Sequence, residues 1–151
     1  MGAMEWLFNK AFNHATELSR ISAKAVILRE HEVLLLRKSS GKWDLPGGKI
    51  DAGETIFQGL LREVREESGL DVCVDEFLVA IDRTKAHLEE PKGPLYAFLC
   101  SASAQWCETR LRLSAEHVEA QLANLWQADS LPMGRSCQRA LAAAQDFLET
   151  R

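Results

Sequence analysis

The sequence predicts a layered fold of strands and helices, of the α/β or α+β kind. Three observations predict it. Two strand-like apolar runs lie close together near the start, a capped amphipathic helix follows, and further strand-like runs precede a closing helix. With 151 residues, 46% of them hydrophobic and 26% charged, the chain can bury one full core. No repeat, low-complexity tract or Pro/Gly/Ser linker divides it, so one domain is expected over residues 20–150, preceded by an extension over 1–19.

Residues 5–18 fit a short amphipathic helix with Trp6, Leu7, Phe8, Ala11 and Leu18 as its apolar positions. Residues 21–29 and 33–37 read as strands around a turn at Glu30-His31-Glu32. Residues 42–45 form a short extended piece, because Pro46 biases Leu45 away from helix. Gly47 and Gly48 then permit backbone angles that other residues avoid. Thr55 and Gln58 have the spacing of a capping box, and Gly69 is placed to end the helix in a left-handed conformation. Between these caps, Ile56, Phe57, Leu60, Leu61 and Val64 fall in an arc of roughly 140°, a stripe that can dock on a sheet. Residues 72–81 and 95–101 are further strands. Residues 85–94 are polar, contain Pro91 and Pro94, and read as a loop. The closing helix spans 135–150, with Ala140, Leu141, Ala144, Phe147 and Leu148 on one side. Periodicity leaves the strand order open.

Composition narrows the function. The formal net charge is −4, from 18 basic against 22 acidic residues, so a stable nucleic-acid complex held by phosphate contacts is not expected. A small nucleotide needs only a local cationic site or a metal. No apolar run has the roughly 18 residues a membrane span requires, and no signal-peptide core is visible, so a cytoplasmic monomer or homodimer is expected. Cys73, Cys100, Cys107 and Cys137 form no CxxC pair and read as free thiols rather than zinc ligands.

The chemistry lies between Gly48 and Leu70, GKIDAGETIFQGLLREVREESGL. Glu63 and Glu67 are four residues apart on the helix, one above the other, with Glu66 beside them. The three acids border the apolar stripe, so their mutual repulsion is not fully screened by water. Arg62 and Arg65 relieve part of it. A solvated charged face is the plain alternative, since charge runs usually lie on surfaces. A hard divalent cation is the sharper one: Mg²⁺ takes oxygen ligands and keeps waters that phosphates can replace. The carboxylates, with a peptide carbonyl from the Gly47-Gly48 turn, would make a partial cage.

This segment resembles the Nudix box, G-x5-E-x7-R-E-U-x-E-E-x-G-U with U aliphatic. Gly48, Glu54, Arg62, Glu63, Val64, Glu66, Glu67, Gly69 and Leu70 fill it without departure. The fixed positions alone match by chance on the order of once in 10⁸ windows, which decides against the solvated face. Trp43-Asp44-Leu45-Pro46-Gly47-Gly48 is similar to the W-x-L-P-G-G lead-in of many members.

The resemblance implies an α/β/α sandwich with a mixed β-sheet. It also implies Mg²⁺-dependent hydrolysis of a diphosphate bond in a nucleoside diphosphate linked to another moiety, with Mn²⁺ a possible substitute. Carried onto this chain, Glu63, Glu66 and Glu67 are metal ligands, and Gly47 offers its carbonyl. Arg62 orients the acids, and Glu54 braces the loop. Many members use one more glutamate outside the box as ligand or general base, and Glu116 and Glu119 are the candidates, with Glu108 a weaker third. Arg37, Trp43 and Lys49 are candidates for substrate contacts, though for Trp43, Tyr96, Phe98 and Trp126 core packing is the default. His31, His87 and His117 read as surface or turn residues, with His117 alone among them near the suspected catalytic stretch of Glu116 and Glu119.

Subgroup signatures do not fix the substrate. The proline of the ADP-ribose type would fall near Thr84, but the nearest is Pro91; the sole tyrosine, Tyr96, is not where the dinucleoside polyphosphate type has one. A nucleoside triphosphate or related small nucleotide is the favoured substrate. A non-catalytic nucleotide-sensing domain is the competing reading, but such domains tend to lose box acids, and this one keeps them all.

Overall fold

The computed structural model describes residues 2–4, 21–83, 93–102 and 111–151. The expected helix over 5–18, most of the loop over 85–94, and Cys107 and Glu108 lie outside the described residues.

In chain order the strands are β1 (Ser22–Arg29), β2 (Glu32–Lys38), β3 (Trp43–Asp44) and β4 (Gly47–Lys49). Helix α1 (Ile56–Ser68) follows, then β5 (Val72–Ile81), β6 (Leu95–Ala102) and β7 (His117–Asn124). A short 3₁₀ turn (Ala128–Ser130) leads to helix α2 (Arg135–Glu149). The seven strands run in the order β3-β2-β1-β6-β5, with β4 pairing β1 and β7 pairing β2. Among the pairs of these seven strands only β1–β6 is parallel, which makes the sheet mixed.

Strand β1 is buried on both faces, and its alternating side chains serve two cores. Ala23, Ala25 and Ile27 meet Ile56, Phe57, Leu60 and Val64 of α1, together with Phe98. Val26 points the other way and joins Val33, Leu35 and Trp43 against Cys137, Ala140, Leu141 and Ala144 of α2. The α/β/α sandwich expected from the resemblance is therefore present, with α1 on one face and α2 on the other among the described residues.

Helix α1 begins and ends where its caps predict. Thr55 accepts from the Gln58 N–H and Gln58 returns the bond to Thr55, while Gly69 closes the helix at φ 76°. Leu61 departs from the expected stripe and is exposed, because it sits at the edge of the arc that the sheet covers. Two strands escaped the pattern. β4 contains two glycines, poor strand formers, and pairs with β1 in an antiparallel ladder. β7 exposes Val118, Glu119, Gln121 and Asn124, so its polar sequence masks a strand that pairs along the length of β2. No helix among the described residues is long and apolar enough to cross a membrane. Cys73, Cys100 and Cys137 are free thiols.

Candidate active site

Two glycines of β4 face two glutamates of α1. Gly47 donates its N–H to Oε2 of Glu67 at 2.9 Å. Gly47 itself adopts φ 135°, and a Cβ there would lie 2.1 Å from the carbonyl oxygen of Ala23, so only glycine fits. At Gly48 a Cβ would stand 2.8 Å from the Glu63 carboxylate. The missing side chains thus make room for the acids.

Glu67 is buried, with 6% of its surface exposed. Burial pushes its carboxyl up to about 7; the Gly47 N–H and Lys24 oppose the rise, and the charges of Glu63 and Asp44 add to it. Burial also raises the carboxyl of Glu63, against the pull of Arg62. Among the described residues Glu67 has no ion-pair partner.

Arg62 organises the outer part of the site. Its Nε and Nη2 donate to the two oxygens of Glu54 at 2.8 and 3.0 Å, and Nη1 reaches both Glu63 and Glu66 at 3.1 Å. Nη2 also donates to the Lys49 carbonyl and lies 3.3 Å from Asp51. Glu54 accepts the Asp51 N–H as well, and the Arg62 hydrogen bonds hold its carboxyl below the ordinary range despite partial burial. Glu54 therefore ties the loop to the helix. Glu66 is mostly exposed at the rim.

Lys24 was not singled out by the sequence reading. Its Nζ donates to Asp44 at 3.1 Å and to the carbonyls of Leu45 and Gly47 at 3.2 Å. Burial works against the charge of Asp44, but Lys24 and Lys38 overcome it and hold its carboxyl low. The Gly47 carbonyl thus has one lone pair occupied and a second available. The legible signal was a lone lysine inside an otherwise apolar strand, SAKAVIL.

The start of β7 supplies the opposite wall. Ligand atoms of Glu67, Glu116 and His117 lie within 4.8 Å of one another. His117, expected at the surface, is instead buried, with Nδ1 3.3 Å from the Ser114 hydroxyl. It folds inward where β7 begins to pair with Lys38. Burial pushes its imidazole below the ordinary value. The signal was the Glu-His pair itself, which places His117 next to the candidate acid Glu116.

Glu119 is not brought to this group. It pairs with Nε of Arg37 at 2.9 Å, and the Arg37 guanidinium lies 6.0 Å from the Trp43 ring centre. Trp43 is buried in the core beneath α2, as Phe98 is in the core beneath α1. Tyr96 is half-buried beside Phe77. Trp126 is exposed, and its indole N–H is donated to Glu149 at 2.9 Å. The side chain of Lys49 is exposed.

The NUDIX domain family model matches residues 18–144. The chain is 34% identical over 101 residues to the human 8-oxo-dGDP phosphatase NUDT18, covering 64% of this chain and 29% of that one. It is 34% identical over 64 residues to the CTP pyrophosphohydrolase of Escherichia coli, covering 39% and 47%. The crystal structure of an ADP-ribose pyrophosphatase from Streptococcus suis superposes with a TM-score of 0.67 at 25% identity, covering 85% of this chain and 92% of that one. The matched stretch spans about half or less of the length of the curated relatives. The three proteins are named for three different substrates.

Proposed function

Because the chain belongs to the Nudix family, we propose that it is a pyrophosphohydrolase that cuts a diphosphate bond in a nucleoside diphosphate derivative, with Mg²⁺ as cofactor. A nucleoside triphosphate or related small nucleotide is the favoured substrate. The observation that carries this reading is the buried Glu67 carboxylate, set beside Glu63 with no cation paired to it among the described residues. A buried acid with no direct ion pair, whose nearby Lys24 does not offset the cost of burial, is unfavourable, and the donor set around it is all oxygen on the α1 side, which suits a hard divalent ion.

Glu63, Glu66 and Glu67 would hold the metal, with the free lone pair of the Gly47 carbonyl. When bound, Mg²⁺ would neutralise the diphosphate and lower the pKa of an attacking water. The chain's own residues do the positioning. The Gly47 N–H fixes one oxygen of Glu67. Arg62 keeps Glu63 and Glu66 from rotating away from each other. Lys24 holds the turn that carries the Gly47 carbonyl. Glu116, exposed beside Glu67, takes the proton of the attacking water. Phosphoryl chemistry of this kind needs no covalent nucleophile. The retention of every box acid favours catalysis over a purely sensing role.

The test is a screen of nucleoside triphosphates, their oxidised forms, ADP-sugars, dinucleoside polyphosphates and coenzyme A with Mg²⁺, scored for phosphate against pyrophosphate. Turnover of a triphosphate that stops on chelation is expected. No turnover of any phosphoanhydride with any divalent ion would remove the proposal.

A further inference from the structure

Sequence considerations place only oxygen donors at this site, yet the fold adds a nitrogen. His117 is 7% exposed, and one ring nitrogen, Nδ1, is engaged by Ser114. Among the described residues the other ring nitrogen has no hydrogen-bond partner. A buried imidazole nitrogen without a partner is costly, as is the buried Glu67 carboxylate beside it. Both groups, with Glu116, gather their donor atoms within 4.8 Å of one another. The Ser114 contact does for His117 what an outer hydrogen bond does for a metal-bound histidine: it holds the ring through Nδ1 and leaves the opposite nitrogen as the uncommitted donor.

We infer that His117 is a metal ligand, and that Glu67, Glu116 and His117 form a site selecting a first-row transition ion over Mg²⁺. Imidazole nitrogen adds little to the binding of Mg²⁺, which prefers oxygen and retains its waters, but it strengthens the binding of Mn²⁺ and the later ions of the row. This site shares Glu67 and Glu116 with the proposed hydrolase centre, and the inference rests on that reading for its place in catalysis. The coordination itself is independent of turnover.

The experiment uses Mn²⁺ as the probe on the full chain. Electron spin echo modulation of bound Mn²⁺ reports a directly coordinated ¹⁴N nucleus. The wild-type protein should show that coupling, and His117→Gln and His117→Asn should lose it. Titration should show Mn²⁺ affinity falling by about tenfold or more in these variants, with Mg²⁺ affinity changed far less. Bound Mn²⁺ without nitrogen coupling in the wild type overturns the inference, as does an equal loss of both ions. The wild-type spectrum decides the matter even if neither variant folds. Hydrolysis with Mn²⁺ bound but no nitrogen coupling would leave the proposed function standing and sink this inference alone. Nitrogen coupling with no hydrolysis of any nucleotide would do the reverse.

Discussion

At the scale of single residues, the site is made where two acids and two glycines meet. Glu67 accepts a backbone N–H from Gly47 and can offer its remaining lone pairs to a cation. Glu67→Gln preserves the shape and removes the charge, so kcat should fall by on the order of 10³ while the circular dichroism spectrum is unchanged. Near-full activity would remove Glu67 from its assigned role. Gly48→Ala tests the same geometry from the other side. The added methyl would stand 2.8 Å from the Glu63 carboxylate, the movable end of a side chain, so the fold should survive while divalent-ion affinity drops. The placement of these four residues beside one another was legible because the box fixes residue types at fixed spacings. Lys24 and His117 were not, because their importance comes from strand pairing: β4 brings the Gly47 carbonyl to Lys24, and β7 brings His117 to Glu67.

At the scale of elements, α1 was the most legible part of the chain. Its capping box, its left-handed Gly69 and most of its apolar stripe all form as their sequence signals require. Thr55→Ala should cost about 1 kcal/mol, read from chemical denaturation, because the Gln58 N–H loses its acceptor. Activity should change little, since Arg62, Glu63 and Glu67 lie beyond the first turn. A loss of activity with unchanged stability would mean that the first turn touches substrate. The strands divide differently. β1 and β2 announce themselves through dense apolar runs. β4 and β7 carry the site yet have little strand signal. One is glycine-rich so that the backbone can approach α1, and the other is polar along its exposed positions. Function suppresses the local signal in both.

At the scale of the whole molecule, the sandwich stabilises a site that is electrostatically unfavourable without a cation. Glu67 has its carboxyl raised to about 7 in the folded protein, from an ordinary 4.5, and Glu63 is raised in the same direction. A raised carboxyl contributes stability that is complete below pH 4.5 and is lost as pH climbs through about 7. His117 has the opposite sign: its lowered value penalises the fold as pH drops below 6.5, so it does not offset the loss at higher pH. In EDTA the melting temperature should therefore decline from pH 6.5 to pH 8, and Mg²⁺ should restore most of it by favouring the charged carboxylates. A decline that Mg²⁺ leaves untouched would place its cause elsewhere. The sandwich was legible in outline, while the order of its strands was not, because β1–β6 pairing joins segments far apart in the chain. The central claim is that α1 and β4 together hold a divalent ion, and calorimetric titration of Mg²⁺ into the wild type and Glu67→Gln tests it most directly. The account predicts saturable binding in the wild type that weakens by about tenfold or more in the variant, and identical isotherms for the two proteins would contradict it.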